Sequence, residues 1–372
     1  MTMGQGRLAD MTFHSTGRSR RSRVARGLAT LAMTTALLML PAADRAVAQS
    51  PEQFFKGKTV KLVVTQGPAG YYDIGARLMA RHWGKFIPGQ PNVVVQNQTG
   101  AAGVGLANRF AAGAVDTDGT TLGVLQRGVP QYAFIGYQGI RFDPLKLTWV
   151  GSLSSYATDS YVLIVNASHP AKTIAELANP KVLSRLGANN AGSTNLAFSL
   201  LLKELFKLNV DIIRGYEGTA PIFLAQERRE VDGIVAGFST IRTSLTERWA
   251  KKEVVPVVQF GRKTRLPELV DVPIARELVK DRADFALLEF AELPFFAAFP
   301  IAGPAGVPPD RLKALQDAMI AMTKDADFLV DAKKVNFDID PIDGDAVKEA
   351  LVHASKTPSD VMARYNALLS GK

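Results

Sequence analysis

Apolar and polar positions follow two alternating rhythms along this chain. Val60, Leu62, Val63 and Val64 form the short β-branched run of a buried strand. Gln66-Gly67-Pro68-Ala69-Gly70 interrupts it, since Gly and Pro both break regular structure. Ile74 and Leu78, four residues apart, open a helical face, with Asp73 as the expected N-cap. The order then repeats. Residues 92–96 read as a strand and residues 100–103 as a Gly-rich turn, and Val104, Ala107, Phe110 and Ala111 mark a helix face. Asp118-Gly119 turns the chain into a third strand over residues 121–125. Strand, turn and helix in alternation predict a parallel, doubly wound α/β sheet.

The second half keeps the plan. Residues 161–165 are a continuous apolar strand, and Thr173 with Glu176 has the spacing of a capping box. Residues 188–195 lead into a helix whose face is Phe198, Leu201, Leu202 and Leu205. Pro221 is expected at the first position of the next helix, after Thr219. Residues 231–236 and 254–260 read as strands, and Pro256 assigns the latter to a sheet edge or a crossing segment. Amphipathic helices are expected over 309–324, 345–355 and 358–369, while 132–147 fits no clear element.

The N-terminus changes the charge balance. Arg18, Arg20, Arg21, Arg23 and Arg26 precede a mostly apolar stretch from 28 to 40, and Ala46-Val47-Ala48 fits a small-x-small cleavage site. That is the pattern of a secretory signal peptide, and its apolar core is too short for a membrane span. Cleavage after Ala48 would leave 324 residues, enough for two lobes. Seven Arg and two Asp leave with the leader, so +5 of the chain's +9 departs and the remainder carries +4. No Lys/Arg run of nucleic-acid type remains. The chain has no Cys, hence no disulfide, no thiolate metal site and no lipid-modified Cys.

Catalytic signatures are sparse. Gly57-Lys58-Thr59 lacks the earlier glycine of a phosphate loop, because Glu52 stands there. Gly100, Gly103 and Gly105 are in the wrong order for a dinucleotide fingerprint. His82, His169 and His353 lie in unrelated contexts, with no Gly-x-Ser-x-Gly elbow and no His-Glu-x-x-His. No cofactor and no metal are expected. Three turns at strand ends remain as candidates, at 67–73, 99–103 and 192–195. Each precedes a helix N-terminus, where free amides and the dipole favour an anion. Tyr71 and Tyr72, placed together in the first turn, suggest an aromatic cleft wall.

Five segments resemble, in order, those of the tripartite tricarboxylate transporter solute receptors, or Bug receptors. They are Gly67-Pro68-Ala69-Gly70-Tyr71-Tyr72-Asp73 with Ala76-Arg77-Leu78; Val93 to Asn97 with Gly100-Ala101-Ala102-Gly103; Asp118-Gly119-Thr120-Thr121-Leu122; Leu266 to Pro273; and Pro304 to Pro308. The resemblance implies a periplasmic-binding-protein (Venus flytrap, type II) fold, with two doubly wound lobes and a central cleft. It implies a small carboxylate ligand and delivery to a membrane permease. Lobe 1 is expected over 49–159 with 262–372, and lobe 2 over 160–261, the chain crossing near Asp159 and Gly261. Carried over by position, the ligand residues are Gly70, Tyr71, Tyr72 and Asp73; Gly100, Ala101 and Gly103; Ser193, Thr194 and Asn195; and Phe238 with Ser239. Asp73 would cap its helix. Tyr71-Tyr72 departs from the family, which often has Gly-Gly-Thr before Asp. A monomeric, non-enzymatic receptor is the main expectation; a secreted α/β hydrolase and a sensing subunit for a membrane kinase are the alternatives.

Overall fold

The computed structural model describes residues 49–99 and 103–370. The leader, Gly100 and Ala101 lie outside the described residues. The first sheet opens with β1 (Thr59–Val64), whose Val60, Leu62 and Val64 are fully buried. Helix α1 (Tyr71–His82) follows, then β2 (Asn92–Asn97), α2 (Val104–Ala111) and β3 (Thr121–Val124). β1 pairs in parallel with both β2 and β3. Helix α3 (Val129–Phe134) and β4 (Thr148–Ser152) come next, the latter a strand not anticipated in the pattern.

The chain then enters a second sheet. β5 (Tyr161–Asn166) is buried at all six positions, as a central strand covered on both faces should be. β6 (Ser184–Asn189), α4 (Thr194–Phe206), β7 (Val210–Tyr216) and α5 (Thr219–Glu227) follow. After them come β8 (Gly233–Gly237), α6 (Phe238–Ser244) and β9 (Val254–Phe260). The order is β7-β6-β8-β5-β9, so Pro256 does fall on an edge strand. Pro221 is the third residue of α5, two positions later than expected.

Helix α7 (Arg282–Glu292) precedes β10 (Pro300–Gly303), which returns to the first sheet. Helices α8 (Pro309–Met322) and α9 (Ala326–Lys334), the short β11 (Ile342–Asp343), α10 (Gly344–Ala354) and α11 (Ser359–Ser370) complete the chain. The first sheet reads β11-β4-β10-β3-β1-β2. Both sheets are mixed, which corrects the expectation of a parallel sheet while keeping the α/β class. β10 runs antiparallel between β3 and β4, and β5 antiparallel to β8 and β9. These are the strands on which the chain changes sheets, so neither follows from a helical crossover on the same sheet.

The cores follow the sheets. One gathers β1, α1, α8 and α9 around Leu62, Leu78, Phe299 and Phe328. Another sets Phe198, Leu201 and Leu202 of α4 against Leu287, Leu288 and Phe290 of α7 and Val361 and Tyr365 of α11. Two helices from beyond Gly261 therefore build the core of the second body. No helix among the described residues is long and apolar enough to cross a membrane.

Candidate functional site

The β1–α1 loop is built by its own side chains. The N-cap of α1 is Gly70 (φ −85°, ψ 170°), with no side-chain cap. Asp73 is thus not the N-cap, a correction to the sequence expectation; it sits inside the first turn with its carboxylate turned back on the loop. It accepts from Ala69 N and Arg77 Nε at 2.9 Å each, and from Asn97 Nδ2 at 2.8 Å. Arg77 Nη2 donates to Asn97 Oδ1 at 2.9 Å, and Asn97 Nδ2 also reaches Gln66 O at 3.0 Å. Burial alone would raise the Asp73 pKa; the donors from Arg77, Ala69 and Asn97 win and hold it below the ordinary value. The two resembling segments that contain Asp73, Arg77 and Asn97 thus meet in one network. Because that network consumes the carboxylate, no side chain caps the first-turn amides of α1.

The two tyrosines diverge. Tyr72 is a core residue whose ring stacks on Phe299 (5.7 Å between centroids), and its hydroxyl accepts from Arg127 N at 3.0 Å. Tyr71 keeps 38% of its surface, stacks on Phe337 at 4.9 Å and 15°, and hydrogen-bonds Ser154 through its hydroxyl. One aromatic wall therefore exists, and it is made by Tyr71 and Phe337. Phe337 also lines a cavity of about 620 Å³ whose other wall is Ser239 and Arg242 of α6.

Gly103, the N-cap of α2, has φ +101°, and a Cβ there would lie 2.9 Å from Thr65 Oγ1. Its need for glycine is met by its own chain. In the second body, Ser193 caps α4, accepting from Leu196 N at 3.4 Å and donating to Asn195 Oδ1 at 2.8 Å. Asn195 is buried and bonded to both the amide and the side chain of Asn189, so its polar atoms serve the loop. Thr194 is partly exposed at the first position of α4. Phe238 is core, edge-on to Trp249. Ser239 donates its amide (3.1 Å) and hydroxyl (2.8 Å) to Asp159, whose pKa burial raises despite these bonds. Tyr132 Oη donates to Gly192 O at 2.9 Å, joining α3 to the loop before α4.

Sequence reasoning missed Arg127. It follows β3, at the carboxyl end of a parallel strand, which is the position that marks ligand contacts in α/β sheets. Its guanidinium lies 5.1 Å from the Tyr156 ring, 5.6 Å from Phe295 and 5.8 Å from Tyr161. Nε and Nη1 are buried and donate to nothing among the described residues. Burial raises the phenol pKa of Tyr71 and Tyr161, and pushes Tyr156 up to about 12, so the surrounding rings stay neutral. The ring faces attract a cation but offer little to its donors, and each buried donor left unpaired costs about 1–3 kcal/mol.

The histidines do not assemble. His82 bonds Asp331 at 2.9 Å, and His169 bonds its own turn and Ser184. No cluster of three or more His, Asp or Glu suited to a metal occurs among the described residues.

A family model described as the tripartite tricarboxylate transporter family receptor matches residues 76–358, beginning just after Asp73. Curated proteins yield no match. Among solved structures, a TctC solute-binding protein from Polaromonas is 17% identical, with TM-score 0.62 over 85% of this chain and 99% of that one. The periplasmic binding protein BugD is 21% identical, with TM-score 0.59 over 84% and 97%. MatC from Rhodopseudomonas palustris, with bound malate, is 23% identical, with TM-score 0.57 over 84% and 99%. These likenesses show the two-lobed fold.

Proposed function

This chain belongs to the tripartite tricarboxylate transporter receptor family, and we propose that it captures a small carboxylate between its lobes and hands it to a membrane permease. The solute-receptor role follows from the family. The carboxylate is our reading, and one observation carries it: the first turn of α1 has no side-chain cap, because Asp73 is committed to Ala69, Arg77 and Asn97. Backbone amides at a helix N-terminus favour an anion by about 0.3–1 kcal/mol, more when partly buried. MatC, a similar fold, was solved with malate, which supports the same class here.

On this reading Gly70, Tyr71 and Gly103 meet the ligand from the first lobe. Ser193, Thr194 and Ser239 face it from the second. Asn195, Tyr72, Phe238 and Asp73 act from behind, by holding those loops. We place lobe 2 at 161–260 joined by α7 and α11, because those helices share its core. The protein works in the periplasm as a monomer without turnover, after removal of residues 1–48.

Thermal-shift and calorimetric titration with malate, adipate and benzoate tests the reading, alongside ester and phosphate substrates. Stabilisation by an acid without turnover is the expected result. Hydrolysis of an ester or phosphate would favour the hydrolase instead. Protein from the periplasm should begin at Gln49.

A further inference from the structure

We propose that Arg127 is the charge partner of the ligand, a guanidinium just after β3 that pairs with a carboxylate reaching past Tyr71. The inference rests on the carboxylate reading above and adds to it a residue outside every segment that carried the family likeness.

Four observations converge on it. Arg127 is anchored where the sheets meet: its amide donates to the Tyr72 hydroxyl in the first body, and its guanidinium lies over Tyr161 at the start of β5 in the second. Two of its nitrogens are buried without an acceptor among the described residues. Arg127 makes no ion pair among the described residues, and Asp73 and Asp159 are already engaged with Arg77 and Ser239. A cavity of about 30 Å³ that Arg127 partly lines has room for one water, which brings no charge.

A fixed cation with two buried donors unmatched is a costly feature for a fold to carry. It becomes favourable when an anion arrives, since a planar guanidinium matches a carboxylate with two parallel hydrogen bonds. Neutral phenols and Phe295 around it lower the local dielectric and strengthen that pairing. Helix amides supply partial charge; Arg127 supplies a whole one. The site therefore selects an acid over its neutral amide or ester.

The test titrates malate, adipate and benzoate into wild type, Arg127→Met and Arg127→Lys, with thermal melts of each ligand-free protein. Every acid that binds wild type should weaken roughly 100-fold in Arg127→Met, and Arg127→Lys should recover part of that loss. Ligand-free Arg127→Met should melt no lower than wild type, because removing two buried unpaired donors offsets the loss of the ring contacts. Affinity within about threefold of wild type in Arg127→Met, or a lower melt without ligand, overturns the assignment and makes the guanidinium a fold element. If the acids bind wild type and Arg127→Met alike, only Arg127 falls. If none binds wild type, the carboxylate reading falls with it.

Discussion

Replacing Asp73 by Ala should destabilise the protein by about 3 kcal/mol. Its carboxylate is 2% exposed on a residue basis and accepts three hydrogen bonds. A hydrogen bond to a charged group contributes about 1.5–3 kcal/mol when buried. The Ala69 amide and the Asn97 amide group count at the low end of that range, because their loop has access to water once opened. The Arg77 pair adds less than about 1 kcal/mol, since the Arg77 side chain is half exposed and screened. Urea unfolding measures the sum as a shift in midpoint at constant slope. The acid limb gives an independent check. The folded-state pKa of Asp73 lies below its unfolded value of 3.8, so its contribution is present above pH 3.8 and lost as the pH falls through the folded pKa. Wild type should lose stability over that window, and Asp73→Asn should lack that increment. A change under about 1 kcal/mol in Asp73→Ala, together with a wild-type acid limb identical to that of Asp73→Asn, would refute the network.

Two glycines should behave in opposite ways. Gly70→Ala should keep its stability within about 0.5 kcal/mol, because the nearest atom to the new Cβ is 3.8 Å away, while weakening carboxylate binding in calorimetry. Gly103→Ala should lower stability by at least about 1 kcal/mol, through its left-handed φ and the Thr65 contact, as read from thermal melts. Tyr71→Phe removes the Ser154 bond but keeps the stack on Phe337, so about 1 kcal/mol of stability should go while any preference for benzoate over malate survives; Tyr71→Gly should abolish it. Tyr132→Phe should cost about 1 kcal/mol in denaturant unfolding, through loss of the bond to Gly192.

The α/β class and most elements were legible because local pattern and tertiary environment agree. β5 is apolar at nearly every position and is buried at every position. β4 was missed because Thr148-Trp149-Val150-Gly151-Ser152 carries small and polar residues where β11 and α8 press on it. A Cβ at Gly151 would lie 2.3 Å from the Met319 methyl carbon and 2.5 Å from Ile342 O. β7 escaped notice as an edge strand with an exposed Ile213. In the site, the turns were visible as Gly-rich breaks, but the duties of their side chains were not. Asp73 looked like a cap because sequence shows its distance from the helix and not the loop amide it bends back to reach. Tyr71 and Tyr72 looked alike, and a helical step of about 100° leaves one partly exposed against Phe337 and sends the other into the core. Arg127 carried a signal in its position after β3, without any motif around it.

The return of α11 to the second body has a mechanical consequence. With α7 and α11 in that core, the backbone passes between the bodies three times, at 152–161, 298–300 and 354–359. Two tethers permit both bending and torsion. A third restricts torsion, so the cleft should open along one trajectory, like a door on three hinges. Shortening the chain before Ser359 would remove the last hinge and strip Val361 and Tyr365 from Phe290 and Leu201. The last helix therefore belongs to the second body, and a rigid fusion placed after it would load that body rather than the first.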